Sequence, residues 1–183
     1  SVVVDRCTFA DCPDGAIEVT DAGTVQIINS TISGNTSGYG GAAGVALDIP
    51  DGSALISNCT IASNRATRTR YASAGGVALE AGVLRLNSTI LAHNTLDGEP
   101  SELVISPGAE LTLVESRDNL VFDQDSAGWL VDGLYGNILG VDPQLLPLAD
   151  NGGLAQTRAL RDSSPALDRG NNDLGLENDE RGY

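Results

Sequence analysis

Three copies of one short segment dominate this sequence. They occupy residues 25–35, 54–64 and 83–94, and each contains an asparagine, a small residue, a threonine and an isoleucine in that order. The threonine of each copy falls at Thr31, Thr60 and Thr89, so 29 residues separate successive copies. A fixed period of this length is typical of repeat proteins in which each repeat forms one rung stacked on the previous one.

Each copy has the pattern of a β-strand. Val25 and Ile27 alternate with polar residues and therefore share one face. The chain has one Trp, two Phe and no Met, so its interior is expected to be aliphatic and narrow. Rungs spaced by about 4.8 Å give a stack on the order of 25 Å tall. The sequence predicts an all-β fold, a right-handed single-stranded parallel β-helix of about five rungs with an irregular C-terminal capping segment.

Asparagine recurs where each strand must bend. Asn tolerates unusual backbone angles, and its amide can bond to the same amide one rung away. We therefore predict a ladder of stacked side chains at two sets of positions, Asn29, Asn58 and Asn87 and Thr31, Thr60 and Thr89. Asn35, Asn64 and Asn94 predict a second asparagine ladder, with the last member displaced by one residue.

The chain is expected to be a single domain with two parts. Residues 1–122 are predicted to form the β-helix rungs. From Asp123 the composition shifts to Asp, Asn, Gly and Pro, so 123–183 are predicted to form a loop-rich cap packed on the same β-helix, over its last rung. At the other end, Ser1–Val4 would offer an open strand edge that a second copy or further rungs of a longer chain could complete.

Charge limits the range of partners. The net charge of −15 repels nucleic acid phosphates and anionic membranes, so no nucleic acid partner is expected. No apolar run is long enough to span a bilayer, and direct membrane insertion is not expected. The acidity is compatible with divalent cations and with cationic or neutral polymers. It is equally compatible with simple solubility of an extracellular protein.

The three cysteines do not define a redox or metal motif. Cys7 and Cys59 fall at the repeat position held elsewhere by Ser30 and Ser88, which predicts small stacked residues. No metal-ligand spacing connects the cysteines with the single His93. A disulfide between Cys7 and Cys12 remains an open alternative.

Two kinds of residue are candidates for binding. One basic loop on this acidic chain contains Arg65, Arg68, Arg70 and Tyr71, which predicts either a solvated loop or a contact site for a carboxylated sugar or an acidic partner. The acidic pairs Asp48 with Asp51 and Asp123 with Asp125 are typical of turns. They are also the candidates for calcium, the only cofactor considered, although no calcium-binding signature is present.

No catalytic residues are predicted. A lyase needs a base beside an acidic calcium site, and a hydrolase needs two facing carboxylates. The chain has no Lys, and no cluster of Asp sits at repeat-related positions where stacking would bring the groups together. His93 occupies a turn position, and the Gly-x-Ser-x-Gly motif of serine hydrolases does not occur.

The segment that ends Asn-Ser-Thr-Ile-Ser-Gly-Asn35, followed by a Gly-rich stretch and its own repeat, resembles the pectin-lyase-like right-handed parallel β-helix proteins. More narrowly it resembles bacterial surface proteins of the choice-of-anchor type, and more distantly the repeats of polymorphic outer-membrane proteins. The resemblance extends to the closing run, with residues 142–153, 157–160, 164–168 and 179–182. The family's usual continuation after the final Arg-Gly and its anchor motif are not present. The resemblance implies a secreted or cell-surface bacterial protein without an agreed catalytic set.

Three classes of function remain. The favoured class is a non-catalytic structural or adhesive segment of a surface or secreted protein, with other copies of itself or further rungs as partners. The second is a module that binds polysaccharide, and the third is a polysaccharide lyase or hydrolase. Few aromatic residues disfavour the second class, and the missing acid and base pair disfavours the third.

Overall fold

The computed structural model describes residues 1–38, 41–67, 73–112 and 115–182. It contains twenty-one strands and one 3₁₀ turn, Leu134–Gly136, in this described part. In chain order the strands are β1 (Val2–Asp5), β2 (Thr8–Ala10), β3 (Ile17–Thr20), β4 (Thr24–Ile28), β5 (Thr31–Ser33), β6 (Thr36–Ser37), β7 (Gly41–Ala42), β8 (Val45–Ser57), β9 (Thr60–Ala62), β10 (Arg65–Ala66), β11 (Ser73–Ala74), β12 (Val77–Asn87), β13 (Ile90–Ala92), β14 (Thr95–Leu96), β15 (Glu99–Pro100), β16 (Leu103–Ile105), β17 (Glu110–Leu111), β18 (Leu120–Val121), β19 (Ile138–Leu139), β20 (Leu145–Ala149) and β21 (Thr157–Leu160).

The strands form parallel sheets on the sides of one coil. Sheet A has the order β1-β4-β8-β12-β16, with β3 on β8 and β17 on β12. Sheet B has the order β2-β5-β9-β13-β18-β19, and sheet C contains β6, β10, β14 and β15. Every pairing between rungs is parallel, and only β14 with β15 and β20 with β21 are antiparallel. The predicted parallel β-helix is confirmed.

Three turns of the coil are complete, fewer than the predicted five. Each complete turn passes from sheet A to sheet B to sheet C: β4 to β5 to β6, then β8 to β9 to β10, then β12 to β13 to β14. A partial rung of β1 and β2 precedes them, and β16, β18 and β19 follow. The count differs because the outer rungs lack a full set of strands.

Left-handed residues form the two corners of sheet B. The corner before it contains Arg6, Asn29, Asn58, Ser88 and Asp118, with φ between 45° and 57°. The corner after it contains Asp11, Gly34, Ser63 and His93. Asn, Asp and Gly enter this backbone region at lower cost than other residues. The asparagines of the repeat therefore reflect the need for a sharp bend.

The register corrects one part of the predicted ladder. Thr31 pairs with Thr60 as expected, but Thr60 pairs with Ile90, so Thr89 lies one position earlier. Asn87 pairs with Ser57 and not with Asn58. The interval between the second and third copies is therefore 30 residues along this segment.

The physical reason for this register is the interior. Ile32, Ile61 and Leu91 are stacked with no exposed surface, and Leu84 and Leu86 are equally buried. Sliding the third copy by one residue to align its threonine would turn these leucines outward, because side chains alternate faces along a strand. The buried aliphatic column thus determines the register.

The C-terminal part differs from the predicted cap in two ways. Parallel pairing continues through β18 and β19, so sheet B extends to Leu139 and past residue 122. Residues 141–182, here called the strap, are not confined to the last rung, although Ala166 and Arg169 lie beside Leu120 and Ile138 of β18 and β19. They lie along sheet B, and Glu180 contacts Thr8 and Thr31 in the earliest rungs. The strap's hairpin, β20 with β21, packs on the same flank.

The described cysteines are free thiols. Cys7, Cys12 and Cys59 form no disulfide, so the Cys7 to Cys12 alternative is not adopted. The backbone N–H of Cys7 donates to Ser30, and that of Cys59 donates to Thr89. The predicted column of small residues is correct for Ser30, whereas Thr89 and not Ser88 continues it.

Candidate functional site

A buried asparagine ladder runs through the second corner of sheet B. Asn35 donates to Asn64 at 2.8 Å, and Asn64 donates to Asn94 at 2.9 Å, each from Nδ2 to Oδ1. Each amide also donates to a backbone carbonyl, and each accepts from the backbone N–H of the previous rung. All three side chains are fully buried. Asn35, Asn64 and Asn94 therefore form the predicted second ladder.

Glu102 continues this ladder past its last asparagine. Asn94 Nδ2 donates to Glu102 Oε2 at 2.6 Å, and Glu102 has no exposed surface. Burial raises the pKa of Glu102 to about 7, although bonds from Asn94 partly oppose this shift. A neutral carboxyl in this place resembles an amide and completes the column without a buried charge.

The first predicted ladder has a different form. Among the described contacts, no hydrogen bond joins the amides of Asn29, Asn58 and Asn87. Asn29 and Asn58 occupy the left-handed corner, and Asn29 donates instead to the carbonyl of Asn178 in the strap. Asn29 and Asn58 thus line the cleft beside the strap, whereas the buried Asn87 pairs with Ser57 inside sheet A.

A cleft of about 590 Å³ lies between the strap and sheet B. From the coil it is lined by the corner and strand residues of two turns, Asn29, Thr31, Asn58 and Thr60. From the strap it is lined by residues of β21 and of the stretch 172–181, including Leu160 and Leu176. Its volume lies within the usual range for pockets that hold small molecules.

Four of the five charged side chains that line this strap cleft have partners, and the exposed Glu177 has none among the described contacts. Arg158 donates to Ser63 at 2.7 Å, to Ser33 at 3.2 Å and to a carbonyl of β20, and burial lowers its pKa. Glu180 accepts from Thr31 Oγ1 at 2.6 Å and also from Thr8, while burial raises its pKa. Arg181 is paired with Asp179 at 2.7 Å. The contacts of Arg158 and Glu180 hold the strap to the coil, and the carboxylate of Glu177 remains unpaired among the described contacts.

A second cleft of about 360 Å³ is acidic. Its lining includes Asp14, Glu18, Asp48 and Glu80, which come from successive rungs. Burial raises the pKa of Glu80, and the neighbouring Asp48 and Glu18 raise it further. The search for Asp clusters at repeat-related positions did not find this cleft, because it combines Asp with Glu. A bulge in the register after Leu79 brings Glu80 beside Asp48 on the outer face of sheet A.

The predicted binding loop is only partly described. Arg65 is exposed in β10, where it pairs with Thr36 and Thr95. Arg68, Arg70 and Tyr71 lie outside the described residues, so the proposed contact site stays a prediction.

The predicted calcium candidates do not converge. Asp48 lines the acidic cleft, while Asp51 is exposed at the bend inside β8. Asp123 accepts from the backbone N–H of Ser126, which is the behaviour of a turn residue, and Asp125 is exposed. Within the described ranges, no group of three or more His, Cys, Asp and Glu residues has a metal-binding arrangement.

His93 joins the coil to the strap. Its Nε2 lies 3.5 Å from Asp142 Oδ1, and its ring packs on Phe122 with centroids 4.3 Å apart.

In the described part of the chain, no helix is long and apolar enough to cross a membrane.

Comparison with family models agrees with the coil. Residues 1–133 match the model of the right-handed β-helix region. The chain belongs to this right-handed β-helix family. Neither the comparison with curated proteins nor that with solved structures finds a match.

Sequence reasoning about this β-helix missed three functional features. The acidic cleft had a signal in the sequence. Val45-Ala-Leu47 and Val77-Ala-Leu79 align, and an acidic residue, Asp48 or Glu80, follows each of them. Glu102 had a weaker signal, its place eight residues beyond Asn94 in a shortened turn. The strap cleft had none, because its contacts join residues 95 to 149 positions apart.

Proposed function

We propose that this β-helix is a non-catalytic structural or adhesive segment of a secreted or cell-surface bacterial protein, and that its first rung joins another β-helix rung. The partner is a second copy of the chain or further rungs of a longer one. The observation that supports this is the open edge of sheets A and B at β1 and β2.

The two ends of the coil differ. Among the described residues, β1 pairs only with β4 and β2 only with β5. Val2, Val4 and Phe9 are only partly buried where they contact the core, and Val3 is 62% exposed. At the other end, Ala127 bridges to Leu103 and Leu130 is buried, so the core is covered there. The first rung therefore presents both unpaired backbone groups and apolar side chains, which suit strand addition.

The buried polar columns support a structural role. The ladder from Asn35 to Glu102 satisfies the backbone at one corner of successive rungs, and Asn119 donates to Asn137 in a shorter column at the other corner. Fully satisfied buried networks make a structure rigid. The acidic surface and the resemblance to bacterial surface proteins support a location outside the cell.

Binding or cleavage of an extracellular polysaccharide is the alternative class. In the acidic cleft, carboxylates lie together because they occupy outward positions of adjacent rungs in a chain of net charge −15. Among the described residues, no further group that lines this cleft indicates a substrate. The strap cleft differs, because it contains polar side chains without partners.

The self-association can be measured by light scattering against protein concentration. We expect the mass of the wild type to rise with concentration, and Val3→Lys to stay monomeric because a charge on an edge strand opposes pairing. Gln26→Lys is the matched control, since Gln26 is exposed on β4 inside the same sheet. A wild type that remains a strict monomer at high concentration contradicts a second copy as the partner and leaves further rungs of a longer chain as the partner.

A further inference from the structure

The strap contacts the first corner of sheet B in two of the three complete turns. In the first turn, Asn29 Nδ2 donates to the carbonyl of Asn178 at 3.1 Å, and Thr31 Oγ1 donates to Glu180. In the third turn, Ser88 Oγ donates to the carbonyl of Asn171 at 3.0 Å and accepts from its N–H at 2.8 Å. The strap is thus fastened above and below the middle turn.

At this corner the middle turn has the same positions but no such contacts. Its bond to the strap is at the other corner of sheet B, where Arg158 donates to Ser63. Asn58 stacks beneath Asn29 at the corner, and Thr60 pairs with Thr31 in sheet B. Both side chains line the strap cleft, and in the described part of the chain neither has a hydrogen-bond partner. The strap passes over the first corner of this turn without bonding to it, and the cleft is the space between the two.

The chemistry of the cleft limits what can occupy it. An amide and a hydroxyl each offer a donor and an acceptor, as a polyhydroxylated ligand requires. The arginines, Asp179 and Glu180 are already bonded within the protein. Among the described lining residues the unpaired charge is the exposed carboxylate of Glu177, which repels an anionic sugar and leaves a neutral one unopposed. Leu160, Leu167 and Leu176 add apolar surface for the C–H faces of a ring.

We propose that the strap cleft binds a short neutral saccharide, which bonds to Asn58 and Thr60 and replaces the strap contacts that the middle turn lacks. The ligand lies between coil and strap, so binding also fastens the strap over the middle turn. This site is separate from the open edge of the first rung.

The test is an NMR titration of ¹⁵N-labelled protein with cellotetraose and maltotetraose, with tetragalacturonate as the charged comparison. We expect at least one neutral probe at millimolar concentration to shift the Asn58 side-chain amide and backbone amides of residues 172–181. The double variant Asn58→Gly, Thr60→Val keeps the left-handed corner and the shape of the threonine, and its affinity should fall at least tenfold. Gln26→Ala, which removes an exposed amide from another face, should bind as the wild type does.

Three results would overturn the proposal. They are the absence of shifts with both neutral probes, shifts that persist unchanged in the double variant, and binding of tetragalacturonate alone. A monomeric protein that binds saccharide, or a self-associating protein that does not, separates this site from the proposed function.

Discussion

Asn64 is the central residue of the ladder, and its contacts explain why the repeat contains asparagine. Its Oδ1 accepts from both the backbone N–H and the side chain of Asn35, and its Nδ2 donates to Asn94 and to the carbonyl of Ile32. No other uncharged side chain of similar size offers donors and acceptors in these directions. The sequence could predict this column, because the asparagines recur at nearly constant spacing.

Replacing Asn64 with alanine should destabilise the fold. The change removes the acceptor of the backbone N–H of Asn35, one of the two bonds of its side-chain amide, and the side-chain donor to the carbonyl of Ile32. An unsatisfied buried group costs roughly 1–3 kcal/mol. We expect a loss on the order of 3 kcal/mol in the free energy of unfolding, measured in urea. Asn178→Ala, an exposed asparagine whose side chain has no bond among the described contacts, should change it little. Equal effects of the two variants would refute the structural role of the ladder.

Glu102 should make stability depend on pH. Its pKa in the folded protein, about 7, lies above the ordinary value of 4.5, so the folded state binds the proton more tightly than the unfolded state. The resulting stability is fully present below about pH 4.5 and is lost as the pH rises through 7. Glu102→Gln should therefore resemble the wild type near pH 4.

At pH 8 the same variant should be more stable than the wild type, by up to about 3 kcal/mol at 1.36 kcal/mol for each pKa unit. The measurement is urea unfolding of both proteins across this pH range. Glu99→Gln, an exposed neighbour in the next strand, is the control and should show no such trend. A wild type more stable than Glu102→Gln at pH 8 would contradict a buried neutral carboxyl.

At the scale of elements, close packing of corners constrains the coil. Gly76 lies where a Cβ atom would collide with the backbone carbonyl of Glu102, and its own φ is not left-handed. Gly76→Ala should therefore lower the melting temperature by several degrees or prevent folding, for steric reasons alone. Gly23→Ala is the matched control, because nothing lies within 4 Å of its Cβ position. A Gly76→Ala protein as stable as Gly23→Ala would show that the corner is not tightly packed.

The strap is an element held mainly by polar contacts, and it should loosen without unfolding the coil. Glu180→Ala removes the acceptor of Thr8 and Thr31. Hydrogen exchange should then quicken at residues 176–182, while amides of sheet B at Ile61 and Leu91 stay protected. Glu177→Ala, an exposed change in the same stretch, should leave exchange unaltered. Faster exchange throughout sheet B would mean that the strap is part of the core.

At the scale of the whole molecule, periodicity predicted the coil but not what lies on it. The buried columns recur every 29 or 30 residues, so the core positions of Ile32, Ile61 and Asn64 could be predicted from the sequence alone. The predicted stacking of Thr89 on Thr60 is wrong because residues 87–90 have the same sequence as residues 29–32 but a different register. The burial of Leu84 and Leu86 determines that register. The strap could not be predicted, since single contacts such as Arg158 to Ser63 leave no pattern in the sequence.

In this β-helix, successive turns place equivalent residues in direct contact. Nuclear Overhauser measurements on the asparagine side-chain amides test this most directly. We predict cross-peaks between Asn35 and Asn64 and between Asn64 and Asn94, with slow exchange of these amides with solvent. Side-chain amides that exchange rapidly and show no contact between these residues would contradict the β-helix with its buried ladder.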